Sequence, residues 1–217
     1  MDLTGHLGER CLSPVANTAA RVHVVDDDPY VRSSLGRLLS VKGYQVSVHD
    51  SADAYLRDPD AFEWGCLVLD VAMPGLNGLE LQDALRERQA QKPIIFLTGR
   101  GDVPMCARAM KRGAVEFLTK PVDAALLIEA VERALDRDTA MREESALRAD
   151  AQARLATLTV RERQVLEEVV RGRLNKQIAS DIGAAEKTVK VHRGRMMGKM
   201  RVRSVAELVH IVDRART

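Results

Sequence analysis

The chain is poor in cysteine. It has three in 217 residues, Cys11, Cys66 and Cys106, far apart and without Cys-x-x-Cys spacing. So sparse and odd a set argues against a disulfide framework and fits a reducing compartment, so a cytoplasmic protein is expected. Long apolar runs are missing too. No stretch reaches the roughly 18–20 residues that a membrane span needs, so no membrane partner is expected. Met1–Ala20 lacks the apolar centre of a secretion signal and reads as a flexible N-terminal tail. Internal repeats are absent. What remains is ordinary for a globular protein, with 46% hydrophobic and 29% charged residues, and the length favours two domains.

The net charge of +2 conceals an imbalance. Residues 1–155 hold 19 Lys+Arg against 24 Asp+Glu, a net of −5, whereas residues 156–217 hold 14 against 7, a net of +7. A small basic module behind a larger acidic one makes nucleic acid a candidate partner for the basic end.

As far as Leu135, strand-like apolar runs alternate with amphipathic helical ones. The predicted strands are Val22–Val25, Gln45–His49, Cys66–Leu69, Ile94–Leu97 and Val115–Leu118. The predicted helices are Pro29–Val41, Ala52–Arg57, Leu76–Arg88, Val103–Arg112 and Ala124–Leu135. Five such alternations imply an α/β fold, a five-stranded parallel sheet with helices on both faces. "CLVL" and "IIFL" are continuous apolar runs, as strands covered on both faces should be. Ligands of such sheets bind beyond the carboxyl ends of the strands. Asp26, Asp27, Asp70, Thr98 and Lys120 all fall there.

The triplet Asp26–Asp28 can be divided by position. Asp28 precedes Pro29 and an apolar-periodic stretch, the pattern of a helix N-cap followed by a first-turn proline. Asp26 and Asp27 are left to face the crevice with Asp70. Three converging carboxylates repel unless a cation lies among them, and a set of oxygen ligands suits Mg²⁺ or a similar hard ion such as Mn²⁺.

"VVDDDP", "LVLDVAMPGLNGLEL", "FLTGRGD" and "GAVEFLTKP" together make residues 21–135 resemble the receiver domain of two-component response regulators, flavodoxin-like in topology. The resemblance implies that Asp70 accepts a phosphoryl group from a sensor histidine kinase. It further implies Mg²⁺ bound by Asp27, Asp70 and the Ala72 backbone carbonyl, with Asp26 assisting. Lys120 and Thr98 would contact the phosphate, the Lys120–Pro121 peptide would be cis, and Thr98 and Phe117 would form the switch. Met105, Cys106 and Ala109 on the fourth helix would belong to a homodimer face formed on phosphorylation. The chemistry suits these roles: a carboxylate nucleophile makes an acyl phosphate, and its developing charge calls for a cation and fixed donors.

Residues 136–155, rich in Ala, Arg, Glu and Asp and free of Pro and Gly, read as a helical linker continuing the preceding helix. Residues 156–217 show short helices broken at Gly172 and Gly183 and no strand signal, a small all-α domain. In "LNKQIASDIGAAEKTVKVHRGRMMGKMRVRS", Ile178, Ala179 and Ile182 form one apolar face and Gly183 ends it. A second helix then carries Val189, Val191, Met196 and Met200 along with Lys187, Lys190, Arg193, Arg195 and Lys199. Periodicity alone permits a helix in a DNA major groove, a solvated basic face or a membrane-surface helix.

"LTVRERQVL", "NKQIA" and "KTVKVHRGRMMGKM" resemble the LuxR-type four-helix, helix–turn–helix DNA-binding domain. Receiver plus this module is the NarL/FixJ-type architecture. The resemblance implies a phosphorylation-activated transcriptional regulator, not an enzyme acting on a separate substrate, with promoter DNA and RNA polymerase as partners. By family position Lys190 and Val191 would reach base edges, and Asn175, Lys176 and Thr188 the DNA backbone; Arg195 and Lys199 are added from charge alone. Two residues depart from the pattern. Ala185 stands where a Ser or Thr cap is common, and Gly194 where some members carry a DNA-contacting lysine. An Asp-nucleophile phosphohydrolase is the competing class; the basic module and the lack of a substrate-sized insertion oppose it.

Overall fold

The computed structural model describes residues 21–99 and 103–216. The expected tail, residues 1–20, and Arg100–Asp102 of the "FLTGRGD" motif lie outside the described residues. Two compact units divide between Thr139 and Ala140.

The first unit alternates strictly: β1 (Arg21–Val25), α1 (Pro29–Val41), β2 (Gln45–His49), α2 (Ala52–Arg57), β3 (Gly65–Asp70), α3 (Gly78–Glu87), β4 (Ile94–Thr98), α4 (Val103–Lys111), β5 (Glu116–Thr119) and α5 (Ala124–Ala156). A single 3₁₀ turn, Pro59–Phe62, interrupts the pattern between α2 and β3. All strand pairs are parallel, in the order β2-β1-β3-β4-β5, the doubly wound topology expected from the sequence.

The period of two along the strands sorts their side chains between two cores. Val22, Val24, Cys66, Val68, Ile95 and Leu97 face Leu35 and Leu39 of α1 and Leu127 and Val131 of α5. Val25, Leu67, Leu69 and Phe96 face Tyr55 of α2, Leu81 and Leu85 of α3 and Ala109 of α4. Each fully buried aliphatic side chain contributes about 1.5–3 kcal/mol. Every residue of β3 is buried, which fixes the height of Asp70 at its end.

Local chemistry sets the helix starts. The Asp28 carboxylate accepts from the N–H groups of Tyr30 at 2.8 Å and Val31 at 3.4 Å, and Pro29 opens α1. Asn77 and Glu80 form a reciprocal capping box at 2.9 and 3.0 Å, which starts α3 two residues later than the apolar pattern suggested. At the other edge of β3, the buried Asp138 carboxylate of α5 accepts from the Gly65 N–H at 3.0 Å.

The helix α5 runs on to Ala156, through the stretch read as a linker; residues 143–150 are exposed along its length. In the second unit α6 (Val160–Val170), α7 (Asn175–Asp181), α8 (Glu186–Met200) and α9 (Val205–Arg216) follow. They enclose a core of Val165, Leu166, Val169, Ile178, Val189, Met196, Met200, Leu208 and Val212. Thr159 and Glu162 form the capping box of α6. Ala185 precedes α8 and, as its side chain requires, makes no capping hydrogen bond.

Candidate functional site

The strand ends bring the acidic and basic residues of the first unit together. Asp26 and Asp27 follow β1, Asp70 closes β3, Thr98 closes β4 and Lys120 follows β5. Asp26, Asp27 and Asp70 each offer a carboxylate oxygen, and these oxygens lie within 4.8 Å of one another. Asp26 and Asp70 are buried, whereas Asp27 is exposed. Lys120 Nζ lies 2.6 Å from Asp26 Oδ2 and 3.1 Å from Asp70 Oδ2, so its ammonium bridges the two buried carboxylates. The Lys120 N–H donates to the Thr98 carbonyl at 2.7 Å, and the Lys120–Pro121 peptide is cis.

These charges act on one another in a partly dry site. Burial raises the pKa of Asp70, and the Asp26 charge adds to that; Lys120 and the Ala72 N–H oppose them without cancelling them. Burial works against the Lys120 ammonium, but the hydrogen bond to Asp26 and the charges of both carboxylates outweigh it and raise its pKa. A buried carboxylate with a raised pKa, facing a fixed ammonium and a second acidic pair, is suited to work at a negatively charged reactant. The oxygen-only donor set fits a hard divalent ion.

The same site has parts that strand-end reasoning did not reach. The Arg32 guanidinium donates to the Asp26 backbone carbonyl at 2.6 Å. Gly78, the first residue of α3, packs directly against β3: a Cβ there would lie 2.3 Å from the Asp70 carbonyl oxygen. The "NG" pair at Asn77–Gly78, read as a turn and cap, is the signal that could have found it.

The switch and interface candidates fall differently. Thr98 is buried, and the half-buried Phe117 ring lies 6.0 Å from Phe96, against the core shared by α2, α3 and α4. Met105 and Cys106 are half-buried. Ala109 corrects an expectation: it is 0% exposed, one turn inside α4, and its carbonyl accepts from Gln82, so it is core and cannot line an exposed face.

In the second unit Lys176, Thr188, Lys190, Val191 and Arg195 are exposed, with Lys190 and its neighbours displayed along α8. Asn175 is half-buried, and its side-chain oxygen accepts from Arg193 at 2.8 Å. Gly194 and Gly198 face open space, so packing does not demand glycine at either position. Lys199 is committed elsewhere: its ammonium donates to Glu162 Oε2 at 2.6 Å and to the Thr157 carbonyl at 3.0 Å, tying α8 to the start of α6. Charge alone had placed it among the DNA contacts; the helical wheel could not show the buried carboxylate waiting for it.

The family model described as the response regulator receiver domain matches residues 22–132, and that of the bacterial regulatory proteins of the luxR family matches residues 156–212. The chain is a response regulator of the NarL/FixJ type. It is 46% identical to the transcriptional regulatory protein FixJ of Azorhizobium caulinodans over 88% of this chain and 90% of that one. It is 44% identical to nodulation protein W of Bradyrhizobium diazoefficiens, over 91% and 87% of the two chains. Among solved structures, the response regulator StyR is similar over 90% of this chain and 98% of its own, with a TM-score of 0.79 and 44% identity. Full-length FixJ from B. japonicum is similar over 92% and 98%, with a TM-score of 0.56 and 40% identity. The regulator thus joins a receiver domain to a LuxR-type DNA-binding domain and acts on transcription. No helix among the described residues is long and apolar enough to cross a membrane.

Proposed function

We propose that Asp70 is the phosphoryl acceptor of this regulator and that its modification by a sensor histidine kinase controls the binding of promoter DNA by α8. The observation that carries this reading is the Lys120 ammonium held between Asp26 and Asp70 at the carboxyl end of the sheet. An Asp70 carboxylate oxygen attacks the phosphorus of a phosphohistidine. The P–O bond forms as the P–N bond breaks, and the imidazole leaves with its electron pair and takes up a proton. Lys120 and the Thr98 hydroxyl stabilise charge on the transferred oxygens. Asp27, Asp70 and the Ala72 carbonyl would hold Mg²⁺ or Mn²⁺, which supplies charge neutralisation at the phosphoryl oxygens. The full burial of Asp26 and its short contact to Lys120 support an indirect part for it.

Downstream, Thr98 and Phe117 form the switch, and the α4–β5–α5 face carries the homodimer contact. On that face Met105 and Cys106 are half-buried, while Met110 of α4 and Leu126 of α5 are exposed. A phosphorylated dimer presents two α8 helices to two half-sites. There Lys190 and Val191 read base edges, and Asn175, Lys176, Thr188 and Arg195 hold the backbone. RNA polymerase is the partner through which bound regulator alters transcription.

The test is intact-mass analysis after treatment with acetyl phosphate and Mg²⁺, paired with selection of bound fragments from a random DNA library. The wild type should gain one phosphoryl group and bind selected DNA more tightly; Asp70→Asn should do neither. Equal labelling of both proteins removes Asp70 from the role.

A further inference from the structure

We infer that His23, His49 and Asp58 form a second cation site, suited to a borderline transition ion such as Zn²⁺ and separate in chemistry from the oxygen-only crevice. His23 lies in β1, His49 ends β2 and Asp58 caps the C-terminus of α2. Adjacent parallel strands pair His23 with Ser47 and Val25 with His49, which puts both imidazoles on the α2 side of the sheet. His23 Nδ1 lies 3.1 Å from His49 Nε2, and His49 Nε2 lies 3.5 Å from Asp58 Oδ2. With Zn–N and Zn–O bonds near 2.0–2.2 Å, two ligand atoms of a tetrahedral ion lie about 3.3–3.5 Å apart; the 3.5 Å separation falls in that range, the 3.1 Å separation is about 0.2 Å short of it, and all three ligand atoms lie within 4.8 Å of one another.

The side chains are held in place. The ring centroids are 5.4 Å apart while the nitrogens lie 3.1 Å apart, so the imidazoles meet edge to edge with His23 Nδ1 facing His49 Nε2. The buried Tyr55 ring packs edge-on against both, at 5.3 and 5.4 Å, and its hydroxyl is anchored on the Ala61 carbonyl at 2.8 Å. Asp58 divides its duties: Oδ1 accepts from the Asp60 N–H at 2.9 Å, which leaves Oδ2 toward His49. Burial lowers the pKa of His23 to about 4 and lowers that of His49. Whichever facing nitrogen carries a proton in the metal-free pair gives up that place to the ion, and the proton moves to the outer nitrogen of the same ring, so no acid or base is consumed. His49 and Asp58 are 9% and 20% exposed at their side chains, which gives a path for the ion and room for a water ligand. Nitrogen donors select Zn²⁺, Ni²⁺ or Cu²⁺ over Mg²⁺, so the two sites discriminate by donor type.

The test uses the full chain, stripped with chelator and then saturated with Mg²⁺ to occupy the crevice. Zn²⁺ is titrated by calorimetry, and Co²⁺ by its visible absorption. The wild type should bind one ion with a tetrahedral Co²⁺ spectrum. His49→Ala and Asp58→Asn should weaken binding more than tenfold, since even the loss of an outer partner costs about 10–100-fold. Asn preserves the capping geometry, so Asp58→Asn tests the ligand without removing the turn. Asp27→Ala should leave Zn²⁺ binding unchanged. No saturable binding by the wild type, or binding that survives both His49→Ala and Asp58→Asn, overturns the site; neither result bears on phosphorylation of Asp70.

Discussion

Replacing Lys199 by methionine separates folding from DNA binding in the second unit. The lysine makes a charged hydrogen bond of 2.6 Å to Glu162, which is 3% exposed, and a second bond to the Thr157 carbonyl. Methionine keeps the stem and removes the charge. A hydrogen bond to a charged group is worth about 1.5–3 kcal/mol, so a loss of about 2 kcal/mol is expected. For a domain of 60–100 residues that corresponds to about 8–16 °C in melting temperature. The bond to Lys199 is also the main reason that the Glu162 pKa falls from 4.5 to about 2, with the Thr159 backbone N–H next. A lowered carboxylate pKa contributes stability above its unfolded value and loses it as pH falls through the folded one. The wild-type domain should therefore weaken between about pH 5 and pH 2, and Lys199→Met, whose Glu162 has lost the main cause of its lowered pKa, should weaken less over that range, so that its deficit against the wild type narrows as pH falls. Scanning calorimetry from pH 3 to 7 reads both effects. DNA titration at several salt concentrations supplies the contrast. Lys199→Met should keep the wild-type salt slope, while Lys176→Ala should flatten it by about 0.9, the share of one phosphate contact. A Lys199→Met protein with unchanged melting and a flattened salt slope would refute the reasoning and return Lys199 to the DNA.

The two roles assigned within the aspartate triplet separate in the same way: Asp28→Ala should cost about 1 kcal/mol of thermal stability and leave Mg²⁺-dependent phosphorylation intact, whereas Asp27→Ala should abolish phosphorylation without that loss, as melting curves and mass analysis will show. Asp70→Asn should melt above the wild type at pH 7 in metal-free buffer, because burial raises the Asp70 pKa and a raised carboxylate pKa contributes stability only at low pH, losing it as pH rises through the folded value. The advantage should shrink toward pH 4, and a lower melting point than wild type at pH 7 counts against the placement of Asp70 in a desolvated crevice.

The crevice was legible because parallel sheets impose one rule on every strand: the residue after the apolar run stands at the carboxyl end of the sheet. Asp26, Asp70, Thr98 and Lys120 obey it, and α1 and α2 match their apolar patterns end to end. Features that depend on partners distant in sequence were not legible. The helical pattern placed Ala109 on a useful-looking face, but which face of α4 meets the sheet is settled by Leu81, Leu85 and Phe96. Lys199 looked like its basic neighbours until the fold supplied Glu162, 37 residues away. His23 and His49 are single histidines in separate strands, and only the register of β1 against β2 makes them a pair. The Pro59–Phe62 turn is too short to show a period.

The glycines at 75 and 78 are three residues apart and are glycine for opposite reasons. Gly75 has a φ of +75° with open space where a Cβ would stand; Gly78 has no room beside the Asp70 carbonyl. Over evolutionary time the first position can drift to asparagine or aspartate, which tolerate that backbone. The second cannot drift at all without pushing β3. A lineage of such regulators would therefore keep position 78 as glycine for packing against β3 alone.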